Sequence, residues 1–431
     1  MAKLAINGGG RSCNVEWPTW PVWDEQERTG LMEVLESGKW WYGQRVQEFE
    51  EKFAAFQDAR FGVTTTSGST ALEVALRALE IGEGDEVIMP PYTFVATATS
   101  TIWTGARCVF ADILPDTLCI DPSDVESKIT PRTRAIVPVH LAGHIADMDA
   151  LRAIARRHKL ALIEDACHSW GSRWKGKGSG ALGDCGVFSF QMSKNICAAE
   201  GGIILSDNEK LADTCRSLAN CGRTRDSRWY EHKLVGSNLR MTEFQAALLL
   251  AQLSRVADHA LIRRRNALIL NDALRAVPGI RVFDDDPRMS RRAYHLYCFQ
   301  LDTERLGISR QQFLEALEAE GVPASGGYLT PVYRNPMFQP DADGDGAAHR
   351  GRLRANPGGA LDYSSIVCPV TEYVCRTVCW LNHVMLLAAE DAIRAAAEAI
   401  AKVCANAAEL CGVEMSVKKR PRARSVARRG S

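Results

Sequence analysis

An α/β architecture is predicted for this chain, with a largely parallel sheet in its first half and a smaller α+β lobe behind it. Two observations carry that prediction. Between residues 46 and 250, amphipathic helical stretches alternate with short, fully apolar runs. Strands buried on both faces read this way, and such strands pair in parallel beneath helical layers. Beyond about residue 280 the texture changes to short strands mixed with helices. A third observation, a lysine just past an apolar run with glycines behind it, places a site at the mouth of the sheet.

The elements follow in order. Residues 1–45 carry many tryptophans and prolines (Trp17-Pro18, Trp20-Pro21, Trp23, Trp40-Trp41) and read as an arm packed against another surface, a partner subunit included. Helices are expected over 46–56, 70–79 and 148–158, and strands over 86–89, 108–111, 135–139, 160–163, 187–190 and 202–205. A long helix from 242 to about 275 leads into the second lobe, where a strand over 295–301 and helices over 310–320 and 388–410 are expected. A loop rich in Gly, Asp and Ala spans 340–360. The resulting division is an arm (1–45), a large domain (46–279), a small domain (280–412) and a basic, disordered tail (413–431).

Composition narrows the function classes. The chain is long enough, at 431 residues, for two packed lobes. Its 52 basic side chains balance 52 acidic ones, so no global field favours nucleic acid or an anionic membrane. No run approaches the roughly eighteen apolar residues of a membrane span, and Met1 to Gly8 lacks the apolar core of a secretory signal. A cytoplasmic protein is expected. The fourteen cysteines are scattered and often sit in apolar runs (Cys108, Cys185, Cys298), which suits buried, reduced thiols. Cys368, Cys375 and Cys379 cluster, yet they lack the two paired ligand sets of a structural zinc site, and no metal is expected.

Three motifs converge on one chemistry. Lys194 lies in Ser189-Phe190-Gln191-Met192-Ser193-Lys194-Asn195, after an apolar run and before Glu200-Gly201-Gly202. A lysine so placed is partly desolvated, which favours the neutral amine that forms a Schiff base. Asp165 ends the apolar run Ile163-Glu164-Asp165, and His168 stands three residues on. Gly68-Ser69-Thr70 opens a helical pattern, where backbone N–H groups and hydroxyls bind a phosphate. An imine-forming amine, a carboxylate for a pyridinium nitrogen and a phosphate cradle are what pyridoxal phosphate needs from a protein. Taken singly, each has an ordinary reading: a helix N-cap, a loop acid, a structural histidine, a surface lysine. Their combination favours the cofactor.

Three other patterns are set aside. Gly178-Ser179-Gly180-Ala181-Leu182-Gly183 matches G-x-G-x-x-G but precedes a strand instead of joining a strand to a helix. Asp341-Ala342-Asp343-Gly344-Asp345-Gly346 begins like a calcium loop, but Arg352 stands where a bidentate glutamate is needed. The run from Lys418 to Arg429 reads as a solvated end rather than a polyanion site.

Several motifs in order resemble the DegT/DnrJ/EryC1/StrS aminotransferases. They are Thr66-Ser67-Gly68-Ser69-Thr70-Ala71-Leu72, Pro91-Tyr92-Thr93-Phe94, Pro138-Val139-His140, Glu164-Asp165-Ala166, Phe188-Ser189-Phe190 with Lys194, Glu200-Gly201-Gly202, and Gly236-Ser237-Asn238-Leu239-Arg240-Met241. The resemblance runs from about Trp17 to Cys411. Lys39-Trp40-Trp41 and residues 65–72 look most like the branch containing glutamine:scyllo-inosose aminotransferases and 3-amino-5-hydroxybenzoate synthases. The resemblance implies the pyridoxal-phosphate-dependent transferase fold type I of aspartate aminotransferase, and a homodimer with active sites at the subunit interface. It also implies transfer of an amino group from glutamine or glutamate to a keto-cyclitol or keto-sugar. Residue by residue, it makes Lys194 the Schiff-base lysine, Asp165 the partner of the pyridinium and His168 the neighbour of the phenolic oxygen. Phe94 becomes the ring-stacking aromatic, Gly68, Ser69 and Ser189 phosphate ligands, and Asn238 a phosphate ligand reaching across from the partner subunit. Cys167 stands where alanine is common, Ala198-Ala199 where a glycine is frequent, and Trp170 is bulky enough to shape an acceptor pocket.

Other readings use the same frame. In the sugar 3-dehydratase branch a histidine replaces the lysine, which Lys194 argues against. A benzoate-synthase type would add an aromatising dehydration. A non-catalytic regulator keeping the fold would show no cofactor absorbance and no reaction with amino donors.

Overall fold

A computed structural model of the chain describes residues 3–339 and 363–411. The loop 340–360, with its calcium-like Asp341–Gly346 pattern, and the basic tail 413–431 lie outside the described residues.

Five strands come first: β1 (Phe61–Thr65), β2 (Glu86–Met89), β3 (Arg107–Phe110), β4 (Thr133–Ile136) and β5 (Ala161–Asp165). A small pair, β6 (Arg173–Trp174) and β7 (Lys177–Gly178), precedes β8 (Cys185–Ser189) and β9 (Gly202–Ser206). Seven of them build one sheet in the order β1-β9-β8-β5-β4-β2-β3. Neighbours from β8 to β3 are parallel, whereas β9 runs antiparallel to both β8 and β1. Strands β2, β8 and β9 are buried at every residue, as strands covered on both faces must be. Because β9 is antiparallel to β8, the chain joins them without a crossover helix. That connection, residues 190–201, carries Lys194.

The sequence reading locates most elements to within a few residues; the helix Met148–His158 coincides with it. Several elements escape it, among them the helices Glu25–Ser37, Ala96–Thr104 and Glu209–Ala219 and the strands β1 and Val378–Asn382. The helix Glu25–Ser37 is polar on most faces, and it is held by an Asp24/Glu27 capping box together with ion pairs from Arg255 to both acids. Strand β1 contains Gly62, Thr64 and Thr65 and so offers no continuous apolar run. Burial is possible there because Glu50 Oε1 accepts from both the backbone N–H and the hydroxyl of Thr64, each at 2.8 Å.

The later strands are β10 (Ile280–Val282), β11 (Met289–Arg291), β12 (Leu296–Leu301), β13 (Ala324–Ser325) and β14 (Val378–Asn382). An antiparallel sheet forms in the order β10-β12-β14-β13, while β11 joins β6 and β7. The helix Glu243–Leu274 spans two cores. Ala246, Leu249 and Val256 pack with Phe49 and Phe53, whereas Ala267, Leu270 and Leu274 pack with Phe299, Phe313 and Leu381. The start of the chain belongs to this second core too: Leu4 and Cys13 are buried in it, and Trp17 Nε1 donates to the Gly321 carbonyl at 3.0 Å.

One buried acid organises the sheet's centre. Glu164 is fully buried on β5. Its carboxylate accepts from the N–H groups of Gly180 (2.7 Å), Leu182 (2.6 Å) and Gly183 (2.7 Å), and it meets His140 Nε2 at 2.7 Å. The G-x-G-x-x-G pattern therefore wraps a carboxylate of its own chain, which accounts for the motif without a nucleotide. Removing that acceptor strands three N–H groups, two of them buried. Glu164→Ala is expected to cost about 3–5 kcal/mol of stability and Glu164→Gln about 1–3, read as shifts in the urea unfolding midpoint.

Candidate active site

The parallel strands end at one edge of the sheet, where ligands bind in open α/β folds. Ser67 and Gly68 follow β1, Phe94 follows β2, His140 follows β4, and β5 and β8 end at Asp165 and Ser189. Antiparallel β9 starts at the same edge: Gly202 pairs with both Thr65 and Ser189. The fold thus assembles Gly68, Asp165, His168, Ser189 and Lys194 from segments up to 126 residues apart (194 − 68).

Helix Gly68–Ala78 starts with a capping box in which Ser67 accepts from the Thr70 N–H at 3.2 Å. Ser67, rather than Ser69, is the cap, which leaves Ser69 exposed in the first turn. The N–H groups of Gly68 and Ser69 have no helical carbonyl to reach, as in any first turn. Close packing brings this turn onto β8 and β9. A Cβ on Gly68 would lie 2.7 Å from Ser189 Cβ, and one on Gly202 would lie 2.3 Å from the Ser67 carbonyl oxygen. Gly68 and Ser189 therefore line one cradle, with the Ser189 hydroxyl accepting from the Gln191 N–H at 3.3 Å.

Asp165 is buried and oriented. Thr97 Oγ1 donates to one carboxylate oxygen at 2.9 Å and the Cys167 N–H to the other at 3.2 Å. Thr97 was not singled out from the sequence, although Thr93 and Thr97, bonded at 2.9 Å, lie one helical turn apart beside Phe94. His168 is also buried, its Nδ1 has no hydrogen-bond partner, and its ring lies 4.3 Å from that of His295. A buried imidazole nitrogen with no partner is costly unless something else completes it, and at this position it suits a cofactor oxygen.

The amine of Lys194 sits 5.8 Å from the ring centroid of Trp170, and burial lowers its pKa, opposed by the nearby Cys167 and Asp165. Trp170 is fully buried against Phe188 and His295. It therefore supports Lys194 from beneath and does not present its ring to an open pocket. Tyr328 approaches from the other lobe, close enough to Asp165 and Cys167 for their charges to raise its pKa further after burial has done so. Phe94 lies at the same edge and is 59% exposed. Asn238 is on a separate, exposed segment, bridged to Asn220 and flanked by exposed Trp229, Tyr230 and Val235. The chain does not itself show Asn238 beside Lys194.

The imidazoles around the lysine were hidden by sequence distance. His295 and His383 contact the Lys194 segment from 100 and 190 residues away. Burial holds His168, His295 and His383 well below the usual imidazole range. Unfolded, they bind protons near pH ~6.5, so the unfolded state takes up more protons below that value. The stability they leave intact above it is lost as pH falls. The melting temperature is expected to drop from pH ~7.5 to ~5.5, with a shallower slope in His383→Phe, which carries one such group fewer.

Comparison with known proteins agrees with this geometry. Residues 21–350 match the DegT/DnrJ/EryC1/StrS aminotransferase family. The 3-amino-5-hydroxybenzoate synthase of Amycolatopsis mediterranei is 37% identical over 403 residues, spanning 91% of this chain and 98% of the relative. A putative L-glutamine:3-amino-2,3-dideoxy-scyllo-inosose aminotransferase of Streptoalloteichus tenebrarius is 38% identical over 414 residues, spanning 94% and 98%. The crystal structure of 3-amino-5-hydroxybenzoic acid synthase matches with a TM-score of 0.81 at 36% identity, over 91% of this chain and 99% of that one. The fold is the pyridoxal-phosphate-dependent transferase fold type I, and the unpartnered His168 nitrogen and the Gly68–Ser189 cradle suit that cofactor. This chain is a pyridoxal-phosphate-dependent aminotransferase and belongs to the DegT/DnrJ/EryC1/StrS family.

Proposed function

We propose that the enzyme moves an amino group from glutamine or glutamate to the ketone of a cyclitol or sugar, a scyllo-inosose-like ring being the preferred acceptor. The observation that carries the reading is the meeting of Lys194 with Asp165, His168 and the Gly68–Ser189 cradle at one sheet edge. The acceptor class rests on relatives. Beside the one from Streptoalloteichus, an L-glutamine:2-deoxy-scyllo-inosose aminotransferase of Micromonospora echinospora is 36% identical over 96% of this chain.

The residues divide the work. Asp165, oriented by Thr97 and the Cys167 N–H, would pair with the ring nitrogen, and His168 Nδ1 would face the phenolic oxygen. Gly68, Ser69 and Ser189 would hold the phosphate, helped by Asn238 of the partner subunit in a cytoplasmic homodimer, and Phe94 would cover the ring. When bound, the cofactor supplies a sink for the electron pair left as a substrate C–H bond breaks. Lys194, whose amine burial shifts toward the neutral form, takes the proton from the donor's Cα and returns one to the acceptor's carbon. Donor product leaves before acceptor enters, so the two half-reactions are separable. On this reading, residues 46–279 form the cofactor-binding domain and 280–412 the small domain.

The likeness to 3-amino-5-hydroxybenzoate synthase favours a second reading, in which dehydration to an aromatic ring follows. Assays with a keto-cyclitol and with an aminoshikimate-like substrate separate the two. The purified protein is expected to show a visible absorbance band with pyridoxal phosphate that is lost on adding glutamine or glutamate, and Lys194→Ala is expected to show neither band nor response. A wild type that binds no supplied cofactor would overturn catalysis and favour a regulator.

A further inference from the structure

The segment carrying Lys194 is held on both sides by imidazoles from the second lobe. His383 follows β14 and is 1% exposed. Its Nε2 lies 3.0 Å from the Ser193 carbonyl oxygen and its Nδ1 3.1 Å from Arg263 Nη2. A guanidinium only donates and a carbonyl only accepts, so this ring is neutral and carries its proton on Nε2. Arg263 is itself fully buried, donates through Nε to the His383 carbonyl at 3.2 Å, and lies 5.7 Å from the Trp20 ring centroid. Trp20 in turn meets His383 edge-on at 4.8 Å.

The residue after Lys194 is held in the same manner. Asn195 is 3% exposed, and its amide donates to the carbonyls of Ala293 (3.3 Å) and Tyr294 (3.4 Å). Its oxygen therefore accepts, and His295 Nδ1 donates to it at 2.8 Å. The His295 ring stacks on His383 at 5.5 Å and touches Trp170, the aromatic beneath the lysine amine, at 5.4 Å.

Resting on the aminotransferase reading of Lys194, we propose that His383 and His295 are positioning residues: through Ser193 and Asn195 they fix the chain on either side of the lysine and so set where its amine points. A lysine side chain has many rotamers to lose when it is ordered, and a 1 Å misplacement of a reacting group can cost roughly a hundredfold in rate. Fixing both neighbours removes backbone motion from that search.

The test compares shape with hydrogen bonding. His383→Phe keeps a ring but neither bond, whereas His383→Gln keeps an N–H for Ser193 and an oxygen for Arg263. His295→Phe and His295→Asn form the matching pair. Each apoprotein is mixed with pyridoxal phosphate, the C–N bond that Lys194 forms (the aldehyde oxygen leaving as water) is fixed with borohydride, and the labelled residue is read by mass spectrometry. The Phe variants are expected to capture the cofactor roughly tenfold more slowly and to lose kcat with little change in donor KM, while Gln and Asn stay within about threefold of wild type. Should a Phe variant fail to fold, Asn195→Ser, which drops the bond to His295, is expected to show the same slowing. Capture at the wild-type rate in the Phe variants, or equal loss in the polar ones, overturns the proposal. A wild-type label on another lysine overturns the role of Lys194 instead.

Discussion

The Glu164 carboxylate sets the register on which the site depends. It lies one residue before Asp165, and alternation along β5 sends the two side chains to opposite faces. On its own face Glu164 gathers the N–H groups of the 180–183 turn and so delivers the chain to the start of β8. That fixes the pairing of Ile163, Glu164 and Asp165 with Cys185, Gly186 and Val187. A slip of one residue would turn Asp165 away from the cleft and shift Ser189 and Lys194 with it. Asp165 faces the cleft at the strand ends; the acid beside it holds the strands that put it there.

The second constraint is steric. The first turn of helix Gly68–Ala78 sits between the end of β8 and the start of β9, with room for only a hydrogen at Gly68 and Gly202. Such an approach sets the N-terminal turn of the helix directly against Ser189. Antiparallel β9 is part of the same solution: by turning back directly after β8, the chain keeps Lys194 at the strand ends.

The two lobes meet around that lysine. Ser193, Lys194 and Asn195 leave the large sheet, yet their partners His383, His295 and the carbonyls of Ala293 and Tyr294 belong to the segments around β12 and β14. The long helix Glu243–Leu274 contributes Arg263 to the same cluster while its two ends serve different cores. The environment of the amine is thus made by both halves of the chain.

Much of this was legible in the sequence because it is encoded locally. Apolar runs such as 86–89 and 202–205 are strands wherever they meet helices; Lys194 and Asp165 stand at or just past the ends of such runs, and Gly68 opens a helical pattern. Helix Glu25–Ser37 and β1 were not legible, since distant ion pairs from Arg255 and a buried Glu50 compensate for their polar residues. Nor did the sequence reveal that the glycine pattern at 178–183 encloses Glu164, that Trp170 supports the lysine from below, or that Thr97 orients Asp165. Local patterning determined which groups the protein has and at which strand ends they stand, because periodicity and turn chemistry act over a few residues. Only the tertiary structure decided which groups touch, because hydrogen bonds between residues 100 and 190 positions apart arise from packing and leave no local trace.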